Sequence, residues 1–202
     1  MEIGIIDYGA GNLRSISNAL RKVGGDVKTV STARGIEASD ALVLPGVGNF
    51  GDAMGRLEPV RGAVLDKIRI GTPFLGLCLG LQVLLEGSKE APAVRGLDLL
   101  KGHCERFPEP SGKIPHMGWN SLKIEKKTPL LGGIEDSDYF YFVHSYYGDV
   151  QDKDAIAASC EYGVIFPAVL SKNNIYACQF HPERSGEKGL RILENFVSLA
   201  GN

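Results

Sequence analysis

Pro73–Leu85 reads PFLGLCLGLQVLL, and the fold turns on how that run is parsed. It is apolar apart from Gln82, yet Cys78 stands between Gly76 and Gly80. Parsed with its flanks, "TPFLGLC" is a strand and "LGLQVLLEG" a helix, which puts Cys78 at the joint. Working upstream, "EIGIIDY" is a short strand ending in Gly9-Ala10-Gly11. In "NLRSISNALRKVGG", Leu13, Ile16, Leu20 and Val23 share one helical face, with Asn12 as N-cap and Gly24-Gly25 as stop. "DVKTVS" and "ALVLPGVG" are two further strands, the second apolar on both faces and closed by Pro45 and Gly46. A helical stretch with Val64, Leu65 and Ile68 then runs to Gly71. Strands alternating with helices imply βαβ units and a parallel sheet.

Downstream the pattern changes. "NSLKIEK", "YFYFVHSYY", "DAIAASCEY", "VIFPAVLS" and "IYACQFH" read as successive strands, and a helix with Leu190, Leu193, Phe196 and Val197 on one face closes the chain. Strand after strand predicts antiparallel additions to a parallel core. No long polar linker or internal repeat divides the 202 residues, so residues 1–202 are expected to form a single α/β domain with a mixed sheet.

Composition narrows the function. The net charge is −2, with 22 basic and 24 acidic residues interspersed, so no basic block points to nucleic acid. The N-terminus lacks the charged and apolar regions of a signal peptide, and no run is long enough for a membrane span. The four cysteines, Cys78, Cys104, Cys160 and Cys178, are scattered, which favours free thiols in a reducing compartment, the cytoplasm.

Cys104, Cys160 and Cys178 read as small buried hydrophobes. Cys78 differs. A nucleophile bracketed by glycines between a strand and a helix suits a tight, strained turn that exposes it. The helix start beyond it offers unpaired N–H groups and a positive dipole end, which favour a thiolate and can receive an oxyanion. Of four histidines, His103 reads as a surface strand end, and His116 and His144 as core residues. His181 ends an apolar run in "ACQFHPERS" with Glu183 two residues on. In extended backbone the two side chains point the same way, so Glu183 can orient the imidazole. Gly46, Gly48 and Gly51 lack the Lys-Ser/Thr ending of a phosphate loop, and Arg14 replaces the third glycine of a dinucleotide fingerprint. Backbone donors for an oxyanion fit that glycine loop better.

Gly76-Leu77-Cys78-Leu79-Gly80, Gln82 and His181-Pro182-Glu183 resemble the class I (triad) glutamine amidotransferases. "IDYGAGNLRSI", "LPGVGNFGDAM", "IPHMGWN" and "YFVHSYY" are similar to one branch of them, the glutaminase subunit of imidazole glycerol phosphate synthase. The resemblance spans essentially the whole chain. It implies a flavodoxin-like three-layer fold, glutamine as substrate, and no metal or organic cofactor. It implies Cys78 as nucleophile, His181 as general base and acid, and Glu183 as its orienter. The backbone N–H groups of Val47 and Leu79 would form the oxyanion hole. Gly48, Gln82, Glu90, Ser145 and Tyr146 would bind glutamine. Pro115, Met117, Trp119 and Asn120 would face a (β/α)₈-barrel cyclase subunit in a heterodimer. Two rivals remain open at the level of sequence: a glutaminase serving another synthase, and a flavodoxin-like binding module with a structural cysteine. Trp119 likewise has a second reading, as a cap on this domain's own core.

Overall fold

The computed structural model describes residues 1–109 and 112–201. Its parallel half follows the expected alternation. β1 (Glu2–Ile6) leads through α1 (Leu13–Lys22) to β2 (Asp26–Val30). α2 (Ala33–Ala38) leads to β3 (Ala41–Gly46), and α3 (Phe50–Leu57) and α4 (Arg61–Arg69) lead to β4 (Phe74–Cys78). Asn12 caps α1 as expected, its side chain accepting from the Ser15 N–H at 3.2 Å. Every residue of β3 and β4 is buried, as strands covered on both faces should be.

After β4 come α5 (Leu79–Gln82), β5 (Gly87–Ser88), β6 (Gly102–Arg106), β7 (His116–Ser121) and β8 (Lys123–Ile124). Then follow β9 (Tyr139–His144), β10 (Tyr146–Val150), β11 (Ile156–Glu161), β12 (Ile165–Lys172), β13 (Ile175–Cys178) and α6 (Gly186–Ala200). The main sheet has the order β2-β1-β3-β4-β13-β12-β11-β8. Its first five strands are parallel and its last three join antiparallel. β7 and β9 form a separate two-stranded sheet, and β10, β6 and β5 a three-stranded one.

Alternation along the strands splits the core in two. Ile3, Ile5, Val43, Leu75 and Leu77 pack with Ile16 and Leu20 of α1 and Ile192, Leu193 and Phe196 of α6. Ile6, Leu42, Leu44 and Phe74 pack on the other face with Ile36, Phe50, Met54 and Val64 of α2, α3 and α4. These are the three layers of a flavodoxin-like fold. Its winding reverses between β1 and β3, and such sheets bind ligands beyond the carboxyl ends of the strands near that reversal.

Several elements differ from the expectation. α2 and α3 stand where the sequence reading placed no helix. The helix after Cys78 is a single turn, because a run apolar all round carries no helical period. "YFYFVHSYY" is two strands in different sheets, broken at Ser145. β13, the last strand, is parallel to β4 rather than an antiparallel addition.

Candidate active site

Cys78 ends β4 with φ 53° and ψ −105°. A side chain with a Cβ holds such a conformation at a cost of about 1–3 kcal/mol, supported by its surroundings. The surroundings are the two glycines. A Cβ on Gly76 would lie 2.5 Å from the Gly80 carbonyl oxygen, and one on Gly80 would overlap the Leu44 carbonyl oxygen. The turn therefore closes only with glycine at both places. Since α5 is one turn long, the expected dipole contribution is small. What remains is the N–H of Leu79, which as the first helical residue has no partner within the helix.

His181 lies three residues past the end of β13, beside the carboxyl end of β4. Its backbone is pinned on both sides: its N–H donates to Tyr141 O at 2.9 Å, and Ser185 Oγ donates to its carbonyl at 2.6 Å. His181 Nδ1–H donates to Glu183 Oε1 at 3.0 Å. The pairing is as expected, but the reason is different. Pro182–Arg184 is a turn of 3₁₀ helix, so Glu183 curls back rather than pointing along a strand. Burial alone would strip the imidazole of its proton. The Cys78 sulfur and the Glu183 carboxylate outweigh burial and lift the His181 pKa to about 10. His181 Nε2 and Glu183 Oε2 are buried without a hydrogen-bond partner among the described residues.

A cavity of about 310 Å³ opens beside the sulfur. Val47, Gly48, Leu79, Gln82, Glu90, Ser145 and Tyr146 line it with Cys78, so the residues expected to cradle a glutamine and its oxyanion share one wall system. Glu90 Oε2 accepts the Phe50 N–H at 2.7 Å, which ties the loop before β6 to the start of α3. Val143 and His144 also line this cavity and were not foreseen. A second cavity of about 90 Å³ lies on the His181 side, lined by Glu183, Asn12 and Arg184, and Val47 and Val143 border both.

Gln179 is the largest omission of the sequence reading. It is fully buried, and its Nε2 donates to Cys78 Sγ at 3.6 Å. Its Oε1 accepts from Gln82 Nε2 at 3.2 Å. The available signal was a lone amide inside the apolar run ACQF, a buried polar group that requires partners. Cys78 Sγ lies 3.9 Å from the Val143 carbonyl oxygen. Burial pushes the other thiols up, Cys160 to about 12 and Cys104 and Cys178 strongly as well, in keeping with their reading as packing residues.

The β7–β9 sheet separates the expected interface residues. Cross-strand pairs Met117↔Val143 and Trp119↔Tyr141 share its outer face. Met117 is 63% exposed, Trp119 56% and Tyr139 58%, so Trp119 does not cap this domain's core. Arg184 lies 4.1 Å over the Tyr141 ring on the same side. Pro115 instead lines the larger cavity, and Asn120 turns inward, donating to Glu161 O at 2.9 Å.

The sequence profile of the family described as "Glutamine amidotransferase class-I" matches residues 4–199. The chain belongs to the class-I glutamine amidotransferases. This amidotransferase is 56% identical over 197 residues to the imidazole glycerol phosphate synthase subunit HisH of Methanothermobacter thermautotrophicus, with 98% of each chain covered. It is 53% identical over 199 residues to the subunit of the same name from Caldanaerobacter subterraneus subsp. tengcongensis, again with 98% of each covered. It therefore stands among the HisH subunits, and these relatives do not favour the two rival readings. A structure of PurLQS from Thermotoga maritima aligns with a TM-score of 0.79 over 98% of both chains at 19% identity, a likeness of fold. Among the described residues no helix is long and apolar enough to cross a membrane.

Proposed function

We propose that the amidotransferase hydrolyses glutamine through a Cys78 thioester and hands the ammonia to a (β/α)₈-barrel cyclase subunit, which makes imidazole glycerol phosphate and AICAR in histidine biosynthesis. One observation carries this reading. A strained Cys78 opens on a 310 Å³ cavity while the buried, unpartnered Nε2 of His181 stands behind it. A nucleophile, a base and an orienter thus meet at one strand end.

The charge arrangement orders the steps. With its pKa near 10, His181 starts as an imidazolium beside the Cys78 thiolate. The thiolate attacks the glutamine carboxamide carbon, and the tetrahedral oxyanion rests on the N–H groups of Val47 and Leu79. The C–N bond breaks as His181 Nε2–H protonates the departing amine, leaving ammonia and a γ-glutamyl thioester. The thiolate charge is then gone, and with it part of what raised the His181 pKa. The neutral imidazole can now take a proton from water, which attacks the thioester, and glutamate leaves with the thiolate restored. Gly48, Gln82, Ser145 and Tyr146 hold the glutamine. Glu90 uses one oxygen on Phe50 N–H, and its other is assigned to the α-ammonium group. The 90 Å³ cavity gives ammonia a side of His181 away from the glutamine entrance, towards Arg184 and the exposed face. Met117, Trp119 and Tyr139 on that face are the seat for the barrel subunit, since large exposed aromatics anchor interfaces.

Glutamate release from glutamine, measured with and without the barrel subunit and its nucleotide ligand, tests the reading. Activity should vanish in Cys78→Ala and persist when Cys104, Cys160 or Cys178 is replaced by alanine. A glutamine-analogue electrophile should label Cys78 alone. Full turnover by Cys78→Ala would remove the thioester.

A further inference from the structure

His116 and His144 both read from sequence as bland core residues, and the proposed chemistry uses neither. The structure gives them a shared arrangement. His144 Nδ1 lies 2.8 Å from the Tyr146 carbonyl oxygen, and its Nε2 lies 3.1 Å from His116 Nδ1. His116 Nε2 in turn lies 3.4 Å from Asn120 Nδ2. A carbonyl only accepts, so the His144 proton is on Nδ1. For a neutral ring Nε2 is then an acceptor, and His116 must donate to it from Nδ1. His116 Nε2 is left to accept from the Asn120 amide, which only donates there. Every proton in the chain is thus assigned by its partners.

Both rings lie in an apolar setting that keeps them neutral. His116 stacks on Tyr162 at 4.1 Å and on Phe142 at 5.0 Å between ring centroids. Burial lowers the His116 pKa to about 4 and the His144 pKa to about 3, with the charge of nearby His181 adding to the latter. A proton added to either ring would set two donors against each other.

The chain ends at a telling place. The Tyr146 carbonyl also accepts from Gln82 Nε2 at 2.9 Å, and Gln82 continues through Gln179 to Cys78 Sγ. The other end, Asn120 and His116, belongs to β7, whose outer face carries Met117 and Trp119. One buried line of hydrogen bonds therefore runs from the exposed sheet to the backbone of the glutamine cradle.

We propose that Asn120, His116 and His144 are positioning residues: a one-way chain of donors that fixes the Tyr146 carbonyl, and with it Ser145–Tyr146 in the glutamine pocket, to the strand beneath the partner-facing surface. The proposal rests on the glutamine-pocket reading above, but its proton assignment stands apart from it. Movement of β7 on docking would reach the cradle through this chain, so the rings govern glutamine binding rather than the bond-breaking step.

Nitrogen-resolved NMR of the histidine rings in the intact chain tests the assignment. His116 and His144 should both be neutral Nδ1–H tautomers at every pH between about 5 and 8, a range across which an ordinary histidine titrates. An Nε2–H or charged ring at either position overturns the chain. The functional arm uses His116→Phe and His144→Phe, which keep the aromatic packing and remove the donors. Each should raise KM for glutamine about tenfold, the scale of one lost buried hydrogen bond, with kcat little changed. The double variant should do no more than either single one, because both break the same chain. Alkylation of Cys78 by iodoacetamide should proceed at the wild-type rate, which shows the elbow intact. Unchanged KM in His116→Phe, or effects that multiply in the double variant, would refute the tie. If the Cys78→Ala chain binds no glutamine by calorimetry, the pocket reading fails, and the NMR result then shows whether the chain of donors survives it.

Discussion

At the scale of single residues, the decisive feature is a histidine whose charge is held by its neighbours against its burial. The pairing has a pH signature, and its sign follows from linkage. The folded protein binds the His181 proton more tightly than the unfolded chain does. Its contribution to stability is therefore complete below the ordinary value of 6.5 and is lost as pH rises through about 10. In the proposed mechanism the same proton is delivered to departing ammonia, so kcat/KM for glutamine should fall on the alkaline side with an apparent pKa near 10. Glu183→Gln removes one of the two supports, and should shift this limb to lower pH while leaving some turnover. A pH–rate profile checks both points. A limb near the ordinary histidine value, unmoved by Glu183→Gln, would mean that the imidazolium is not the acid.

At the scale of elements, the elbow is built from absences of Cβ, and the glycines divide by what surrounds them. A Cβ at Gly80 runs into the Leu44 carbonyl, and one at Gly46 would lie 2.6 Å from Tyr8 Oη and 2.7 Å from Leu79 Cβ. Gly48 has open space around it, and only its φ of 103° resists a side chain. Gly80→Ala should therefore cost about 3 kcal/mol or more, a fall in Tm of roughly 6–12 °C for a chain of this size. Gly48→Ala should cost about 1 kcal/mol. Thermal unfolding of the two variants distinguishes them, and equal losses would contradict the elbow's packing. The same division explains what was legible in the sequence. Glycines flanking Cys78 between an apolar strand and a helix start announce a turn, and Asn12 and the apolar spacing of α1 announce a helix. Both are local signals. The break at Ser145 is not local: Tyr146 pairs with Arg106 of β6 while His144 pairs with His116 of β7, and nothing in YFYFVHSYY marks the change of sheet. α2 buries only Ile36, so its six residues carry no apolar period. Glu183 was paired with His181 on the strength of strand alternation, and the structure makes the pair by a 3₁₀ turn instead. Gln179 went unnoticed because its partners, Gln82 and Cys78, are about a hundred residues away in sequence and adjacent only across the sheet.

At the scale of the whole molecule, the proposed reaction centre and the exposed aromatic face adjoin along one strand. Val143, which lines the proposed glutamine pocket, and Tyr141 stand two residues apart on the same outer face of β9. Whatever sits on that face can act on the pocket without a long relay. Trp119 contributes little to the domain's own core, being more than half exposed. Trp119→Ala should therefore leave Tm within about 2 °C of the parent, as a surface change does, yet weaken association with the barrel subunit by at least about thirtyfold, the cost of an interface hot spot. Calorimetry of binding beside thermal unfolding of the free chain reads both quantities. The free chain should also be a poor glutaminase. Val47, the proposed source of one oxyanion donor, lies past the end of β3, 46% exposed and beside Gly48, so its peptide is held by few contacts and is free to turn towards the oxyanion or away from it. A missing donor costs about 10²–10³ in rate. A partner that contacts Val47 differently in its two orientations can restore that factor, and only differential contact can do so. Turnover should then rise by about two to three orders of magnitude when the nucleotide-loaded barrel subunit binds, in kcat far more than in KM. Trp119→Ala should need more barrel subunit to reach the same plateau, since it weakens docking and leaves the donor itself untouched. Steady-state glutamate release against barrel-subunit concentration separates these terms. A free chain already at the plateau rate would show that the oxyanion donor is in place without a partner, and the exposed face would then govern delivery of ammonia alone.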